Sequence, residues 1–308
     1  MVRNNNDSNG ESTRRTYLTA AGSVLGASAL ASGTAVAGCD EHEDTETESS
    51  DREGIDECIT IAEPGAYELT DDLAAEDDEA CIVITANDVS LNGNGYAISG
   101  EGSGTGILIE SADDVSVENI ELENLETGIE VTGSDRTQIS NITATNAQVV
   151  FDEGWASCVV RDSTLENCGI DVVAGAGQIL IIGNTITDAP SNGIFFDATL
   201  DVTIIENTVS GSESAGILLN TVSDSQIILN EVSNNGGSGV SFDDVFESNV
   251  YLNEIIDNAG AGVVLDDDSD GNSITDNILS NNGDGPCQIT DGLEDNEFSR
   301  NNPECEEA

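Results

Sequence analysis

Apolar and polar side chains alternate in short segments along most of the chain, and turn-forming residues separate these segments. The segments are rich in β-branched residues and follow a period of two, which is typical of strands with one buried face. Glycine, asparagine, aspartate and serine stand between them and favour tight turns. No apolar stretch has the spacing and length of a crossover helix. The pattern therefore predicts an all-β protein.

The segments repeat with a period near 23 residues. Four stretches align, NTITDAPSNGIFFD, NTVSGSESAGILLN, NEVSNNGGSGVSFD and NEIIDNAGAGVVLD. One column holds Asn184, Asn207, Asn230 and Asn253, and a second holds Gly193, Gly216, Gly239 and Gly262. A weaker version places Asn119, Asn141 and Ser163 in the asparagine column. A leucine-rich repeat is similarly long, but its L-x-x-L-x-L spacing is missing. Repetition at this period predicts a right-handed parallel β-helix of about eleven coils.

The asparagine column has a structural explanation. Asparagine tolerates the left-handed conformation in a tight turn, and stacked amides hydrogen-bond from coil to coil. Asn141 also opens the sequence N-I-T, an acceptor for N-glycosylation. We expect its position in the column to prevent that modification.

The charge is extreme, with 61 acidic and 7 basic side chains and a formal net charge of -54. Nucleic acid is excluded as a partner, because neutralising phosphates needs clustered basic residues. An anionic membrane surface would also repel the chain. Because self-repulsion on this scale needs screening by salt, we predict a protein adapted to molar salt whose acidic residues mostly form a solvated surface.

The N-terminus carries export signals. Residues 1–38 contain the twin-arginine sequence TRRTYL and a weakly apolar stretch, and residues 36–39, VAGC, resemble a lipobox. We predict a Tat lipoprotein signal peptide, lipidation of Cys39 and an extracellular position on the cell membrane, held by the lipid anchor only. Residues 39–56 form an acidic disordered tether that includes His42, and residues 57–308 form the β-helix domain with a C-terminal cap.

Six cysteines remain after Cys39, an even number that suits disulfides outside the cell. Fifteen pairings are possible, and a metal-thiolate site lacks the CxxC spacing. The spacing of one coil favours a bond between the first two, the last two share nearly one register, and the middle two flank the turn at Ser163. We predict three disulfides, which are Cys58–Cys81, Cys287–Cys305 and Cys158–Cys168.

Residues 59–100 and 106–131, from ITIAEPGAYELT to GILIESADDVSVENIELENLETGIEV, resemble the right-handed β-helix domains of the carbohydrate-binding and sugar-hydrolase type, including NosD-like periplasmic proteins. The resemblance covers residues 57–302. It implies copper for the NosD-like members, yet this chain has one histidine, in the tether, and no methionine beyond Met1. Related lyases use Ca²⁺ with an arginine or lysine base, and related hydrolases combine aspartates with histidine. Here Arg136, Arg161 and Arg300 lie in unrelated registers, and of the hydrolase residues only the aspartates are available.

The alternation also predicts the outer face of the helix. In GIFFD, Phe195 and Asp197 point outward. Their equivalents stack as Leu218, Ser241 and Val264 in one column, and as Asn220, Asp243 and Asp266 in the next, which extends back to Asp152, Thr132 and Glu110. We predict that a sugar chain binds this strip. The predicted substrate-binding residues are Phe195, Asp197, Asn220, Asp243 and Asp266, and the candidate catalytic residues are Asp197, Asp243 and Asp266.

Asp266, Asp268, Asp270 and Gly271 spell D-x-D-x-D-G, the first half of a calcium loop. The twelfth position is Asn277, where a bidentate glutamate is needed. We expect no required cofactor, and the stretch offers Asp266, Asp268 and Asp270 as ligands for a weakly bound Ca²⁺ or a hydrated alkali cation. The function that we predict is binding of a polysaccharide or cell-surface glycan without turnover. The alternatives are a polysaccharide hydrolase, lyase or epimerase that uses the stacked aspartates, and a passive envelope spacer or adhesion module.

Overall fold

The computed structural model of the 308-residue chain describes residues 52–76, 79–175, 177–266, 268–289 and 295–305. The predicted signal peptide, Cys39, His42 and most of the predicted tether lie outside the described residues. In the part of the chain that is described, the structure has no helix with the length and apolarity needed to cross a membrane.

The described residues form three parallel sheets, which we call sheets A, B and C. Sheet A has 12 strands, which are Glu53–Ile55, Gly65–Leu69, Val89–Asn92, Ser116–Glu118, Gln138–Ser140, Cys158–Arg161, Ile179–Ile182, Val202–Ile205, Gln226–Ile228, Asn249–Tyr251, Ser273–Thr275 and Glu297–Ser299. Sheet B has 11 strands, which are Ile59–Ile61, Ala80–Ile84, Thr105–Glu110, Thr127–Thr132, Gln148–Asp152, Ile170–Val173, Ile194–Leu200, Ile217–Ser223, Val240–Phe246, Val263–Leu265 and Cys287–Ile289. Sheet C has 9 strands, which are Leu73–Ala74, Ala97–Ser99, Glu121–Glu123, Thr143–Thr145, Thr164–Glu166, Thr185–Thr187, Thr208–Ser210, Glu231–Ser233 and Glu254–Ile256.

The chain visits sheets B, A and C in turn and then begins the next coil, so that each strand pairs with the strand one coil before and one coil after it. This is a parallel β-helix of about ten turns. The all-β solenoid predicted from the repeat is therefore confirmed. The period near 23 follows directly, since one coil comprises three short strands and three turns.

The core lies inside the coils, where alternate residues of all three sheets point. Phe196, Leu219 and Phe242 stack in sheet B, and each is at most 1% exposed. Valine, isoleucine and leucine fill most of the other inward positions. Burying each such side chain contributes roughly 1.5–3 kcal/mol, so stacking the coils supplies the stability that no single coil has.

The corner between sheets A and C holds the asparagine ladder. The backbone N–H of Asn207 and its side-chain amide both donate to Oδ1 of Asn230, at 2.9 and 3.0 Å. Asn230 repeats this pattern with Asn253, which repeats it with Asn277. These side chains are at most 2% exposed. The ladder therefore supplies buried backbone groups with partners, as predicted.

The earlier part of the asparagine column was predicted one residue out of register. Ile120 and Ile142 are the buried residues at this corner, and Asn119 and Asn141 precede them. Both asparagines have left-handed backbones, with φ of 56° and 52°. In the later coils the left-handed residue is likewise the one before the ladder asparagine, such as Leu229 before Asn230. The left-handed turn residue and the ladder residue are thus adjacent positions, and the alignment of the repeats placed them in one column.

Two further ladders occupy the other corners. Between sheets C and B, backbone amides donate to the amide oxygens of Asn235, Asn258 and Asn282 on successive coils. Between sheets B and A, the acceptors are Ser248 and then asparagines 272 and 296. Neither ladder was predicted. All three corners of the C-terminal half therefore use the same device.

The glycine column is required by close packing rather than by backbone conformation. A β-carbon at Gly216 would collide with the side chains of Val232 and Asn235 in the next coil, and Gly239 has the equivalent contacts. The spacing between coils leaves no room there for a side chain.

The structure contains the disulfides Cys58–Cys81 and Cys287–Cys305, as predicted. The predicted Cys158–Cys168 bond is wrong, because both residues are buried free thiols. Cys158 begins a strand of sheet A and contacts the carbonyl oxygens of Ser134 and Ala156. Cys168 follows a strand of sheet C and contacts the carbonyl oxygen of Ala144. The corner at Ser163 places the two thiols on different sides of the coil.

Candidate functional site

The outer face of sheet B carries the stacked side chains that the sequence predicted. Its first column, defined by the strand register, pairs Phe195 with Leu218, Leu218 with Ser241 and Ser241 with Val264. These side chains are partly exposed, and neighbouring strands are about 4.8 Å apart. The column therefore presents a mostly apolar strip parallel to the axis of the helix.

The second column lies two residues further along each strand. Thr132 pairs with Glu110 on one side and with Asp152 on the other, and Asp197 pairs with Asn220, which pairs with Asp243. This register was predicted, with one omission. Val173 lies between Asp152 and Asp197 and interrupts the polar column.

Asn220 connects two coils within the second column. Its Nδ2 donates to Oδ1 of Asp197 at 2.7 Å. The amide is thereby oriented, because an asparagine that donates to a carboxylate has its carbonyl oxygen turned the other way. The Asp197 carboxylate and the Asn220 amide thus stand side by side on neighbouring strands, and Phe195 lies two residues before Asp197 in the first column.

Asp243 and Asp266 form a carboxyl–carboxylate pair at the C-terminal end of the face. A hydrogen bond from Asp243 to Asp266 raises the pKa of Asp243, with burial as a smaller cause. Burial alone would raise the pKa of Asp266, but hydrogen bonds from Ser269, Asp243 and backbone amides lower it. The Ser269 hydroxyl donates to Oδ1 of Asp266 at 2.7 Å, and the Asp244 N–H donates to the same atom at 3.1 Å.

This pair does not have the geometry of a glycosidase. Retaining enzymes hold their two carboxyl groups about 5–5.5 Å apart and inverting enzymes about 6.5–9.5 Å apart, which leaves room for the scissile bond or for water. The carboxyl groups of Asp243 and Asp266 are within hydrogen-bonding reach of each other, which is closer than either arrangement requires. Two of the three candidate catalytic residues, Asp243 and Asp266, form this pair, and the third, Asp197, lies outside it.

Asp171 belongs to the first column and was not singled out from the sequence. It pairs with Phe195 on one side and with Val150 on the other. Burial between these apolar neighbours raises the pKa of Asp171, and a hydrogen bond with Gln148 partly offsets that effect. The glycine column could have revealed it, since aligning Gly169 with Gly193 places Asp171 at the position of Phe195.

Other proton-transfer groups are not on this face. No arginine, histidine or tyrosine occurs in the strands of sheet B that the structure describes. Arg52, Arg136, Arg161 and Arg300 all lie in or beside strands of sheet A, and each forms an ion pair with a carboxylate. A lyase mechanism with an arginine base therefore has no base here.

The described residues of the stretch from Asp266 to Asp270 do not form a cluster of metal ligands. Asp266 accepts the hydrogen bonds described above, and Asp270 forms a bridge to Phe246. Asn277 lies in the ladder. Within the described residues, which exclude Asp267, no group of three or more histidine, cysteine or acidic side chains is placed to hold a metal. Weak binding of Ca²⁺ by Asp266, Asp268 and Asp270 stays a prediction.

Three stacked parallel sheets with a continuous outer face define a protein of the parallel β-helix class. The chain belongs to the NosD family. The family model, described as periplasmic copper-binding protein (NosD), matches residues 44–210 and 87–304. Among curated proteins, none gives a significant match to the chain.

Solved structures with the same fold share little sequence with it. The A-module of a mannuronan C-5 epimerase from Azotobacter vinelandii has a TM-score of 0.60 at 14% identity, over 79% of this chain and 80% of that one. The Dettilon tailspike protein gives a TM-score of 0.59 at 13% identity, over 77% and 60% of the two chains. A double mutant of the periplasmic alginate epimerase AlgG gives 0.54 at 16%, over 71% and 76%. At these identities the likeness shows the fold alone.

The residues of this chain do not fit the copper of the family description. Copper in proteins is held mostly by imidazole, thiolate and thioether groups. The sequence has one histidine and one methionine, His42 and Met1, and both lie outside the described residues. The free thiols of Cys158 and Cys168 are buried on different sides of the coil, and burial raises the pKa of both.

Proposed function

We propose that this protein binds a polysaccharide or cell-surface glycan along the outer face of sheet B, without chemical turnover. The observation that carries the proposal is the pairing of the two columns. An apolar strip that includes Phe195 runs beside a strip of carboxylates and amides in which Asn220 is oriented by Asp197. Sugar rings present apolar C–H faces and hydroxyl edges, and two adjacent strips of this kind match both.

The comparisons support a carbohydrate partner. Similar β-helix structures are named as epimerases of mannuronan and alginate, and as a tailspike. The charge points to a neutral rather than a uronate chain, since the face carries aspartates and no arginine in its described strands. With a net charge of -54, the protein would repel an anionic polymer unless salt or a bridging cation intervened.

Binding without turnover is favoured by the groups that the face offers. Its titratable side chains are carboxylates, and the closest pair shares a hydrogen bond instead of flanking a gap. A hydrolase or epimerase would have to use carboxylates outside that pair, such as Asp171 and Asp197, which lie one coil apart in different columns. A passive envelope spacer would need no particular face at all.

The proposal includes the cell-surface location. The family description as periplasmic and the two disulfides indicate an exported protein. Export by the Tat route and anchoring through a lipid on Cys39 would place the β-helix outside the cell at the end of the acidic tether. Loss of membrane association in a Cys39→Ser variant, with the exported protein recovered in the medium, is the expected result.

The test of the binding proposal measures retention and turnover together. The protein, kept in multimolar KCl, is incubated with neutral polysaccharides, uronate polysaccharides and glycans from the envelope of its own cells. Retention on a neutral or envelope glycan without new reducing or unsaturated ends is expected. Product release that disappears in Asp171→Asn or Asp197→Asn would make the protein an enzyme. Absence of both signals across the panel would favour the spacer.

A further inference from the structure

The sequence Asn141-Ile142-Thr143 is the one match to the N-glycosylation pattern N-x-S/T among residues 40–308. The register of the repeat predicted that Asn141 would be held in the buried asparagine column. The structure places it elsewhere, and this difference decides what the motif can do.

Ile142, not Asn141, occupies the ladder position. Its side chain is 1% exposed, and its backbone N–H donates to Oγ of Ser163 at 3.2 Å. The backbone N–H of Ser163 in turn donates to Oδ1 of Asn184, which continues the ladder. Asn141 is the preceding residue, with a left-handed φ of 52°, and it is exposed. The middle residue of the motif is therefore anchored in the core while both ends face outward.

The acceptor groups are accessible and uncommitted. Thr143, which supplies the hydroxyl that the motif requires, is also exposed. Comparable asparagines at turns use their amides. Nδ2 of Asn119 donates to Asn92 at 3.4 Å, and Nδ2 of Asn146 donates to Asn124 at 3.0 Å. Within the described residues, the side-chain amide of Asn141 has no hydrogen-bond partner.

The location is compatible with binding on the other side of the coil. Asn141 lies at the corner between the sheet A strand Gln138–Ser140 and the sheet C strand Thr143–Thr145. Sheet B does not contribute a strand to this corner. A bulky group at Asn141 would project away from the two columns described above.

We propose that Asn141 is an N-glycosylation site of the exported protein. The donor class is an oligosaccharide linked to a lipid phosphate or diphosphate, and a membrane transferase supplies the catalysis. Nδ2 of Asn141 attacks the anomeric carbon of the first sugar and forms a C–N bond, and the amide gives up one proton to a base of the transferase. The bond from that carbon to the phosphate oxygen breaks, and the lipid phosphate leaves with the electron pair. An exported chain meets such donors at the membrane, and both reacting groups remain exposed after folding.

The test uses the full chain made by its native cells. Because the chain has no lysine, trypsin releases residues 137–161, between Arg136 and Arg161, as a single peptide. The expected result is a peptide mass raised by a sugar series, with the added mass localised to Asn141 rather than Asn146 by fragmentation. An unmodified peptide from native protein would overturn the proposal.

Matched variants separate glycosylation from other additions. Thr143→Ser keeps the hydroxyl and should keep the added mass, whereas Thr143→Val has nearly the same shape and should lose it. Asn119→Gln changes an asparagine in the same left-handed column outside any acceptor motif and should leave the mass on residues 137–161 unchanged. Persistence of the added mass in Thr143→Val would overturn the proposal even if the native peptide is modified.

Discussion

Asp243 and Asp266 lie on neighbouring coils of sheet B, and their side chains share a hydrogen bond that raises the pKa of Asp243. Two carboxyl groups can make such a bond only when one of them carries a proton. Asp266 is the ionised partner, because Ser269 and the Asp244 N–H donate to it, and its pKa is lowered although burial opposes this. When the pair holds one proton, Asp243 is therefore the member that carries it, and the two side chains then form a contact between coils.

This contact predicts a specific dependence of stability on pH. The raised pKa of Asp243 means that its contribution is complete below the pKa of the unfolded chain and is lost as pH rises through the folded value. The lowered pKa of Asp266 gives a contribution that is lost as pH falls. Asp243→Asn replaces the shared proton with an amide donor that does not titrate. We expect the variant to gain stability relative to wild type as pH rises from the unfolded aspartate pKa of about 4 through the raised pKa of folded Asp243, by on the order of 0.5 kcal/mol, since the pair is solvent-screened.

The measurement is the thermal midpoint across that pH range. Because removing any negative charge relieves repulsion in this chain, the control is Asp201→Asn, which removes the same charge at an exposed left-handed position. Parallel pH profiles for Asp243→Asn and Asp201→Asn would contradict a shared proton.

An asparagine of the buried ladder should contribute more to the free energy of unfolding than an asparagine on the surface. Asn230→Ala removes a side chain that donates to Asn253 and to two backbone carbonyls, and it leaves the Asn207 N–H without its acceptor. Because these buried groups are then unsatisfied, we expect the free energy of unfolding to fall by on the order of 3 kcal/mol. Asn249→Ala, at an outward position of sheet A, should change it by less than about 0.5 kcal/mol. Equal losses in urea unfolding would argue against a structural ladder.

The free thiols can be counted directly. Burial raises the pKa of Cys158 to about 11 and also raises the pKa of Cys168. In a Cys39→Ser chain we expect no reaction with a thiol reagent in the native state, because the thiolate is the reactive form and both groups are buried. Unfolding without reductant should expose two thiols per chain. Detection of no free thiol after unfolding would support a disulfide between Cys158 and Cys168.

Phe195 and Phe196 should affect different properties although they are adjacent. Phe195→Ala removes the aromatic ring of the proposed binding face, and we expect glycan affinity to fall about 5- to 10-fold, which corresponds to about 1–1.4 kcal/mol. Phe196→Ala empties a fully buried position and should cost about 3–5 kcal/mol of stability. Leu180→Ala, at an outward position of sheet A, is the control for binding. A similar loss of affinity in that variant would place the glycan elsewhere.

Salt should stabilise the fold strongly. Raising KCl from about 0.1 M to about 1 M shortens the screening length from about 10 Å to about 3 Å, so that repulsion among surface carboxylates falls. We expect the thermal midpoint at neutral pH to rise by about 4–8 °C in this range, as a change of about 2 kcal/mol would give in a domain of this size. The rise should shrink near pH 4, where many carboxylates are protonated. A midpoint independent of salt would contradict adaptation to high salt.

The amino-acid sequence alone was enough to predict the solenoid, the direction of side chains on the outer face and two disulfides. These features depend on alternation with a period of two and on a coil length near 23, and both are local properties that a one-dimensional stack repeats. The column from Phe195 to Val264 and the pairing of Asp197 with Asn220 follow from that register.

The tertiary structure decided what depends on the position of a single residue at a corner. The shift of one residue that buries Ile142 and exposes Asn141 is invisible to an alignment in which asparagine occupies both the turn and the ladder. The separation of Cys158 from Cys168, the burial of Asp171 and the proton shared by Asp243 and Asp266 arise the same way. Each depends on which way the chain turns between sheets and on what the next coil places beside it, and spacing along the sequence does not encode either.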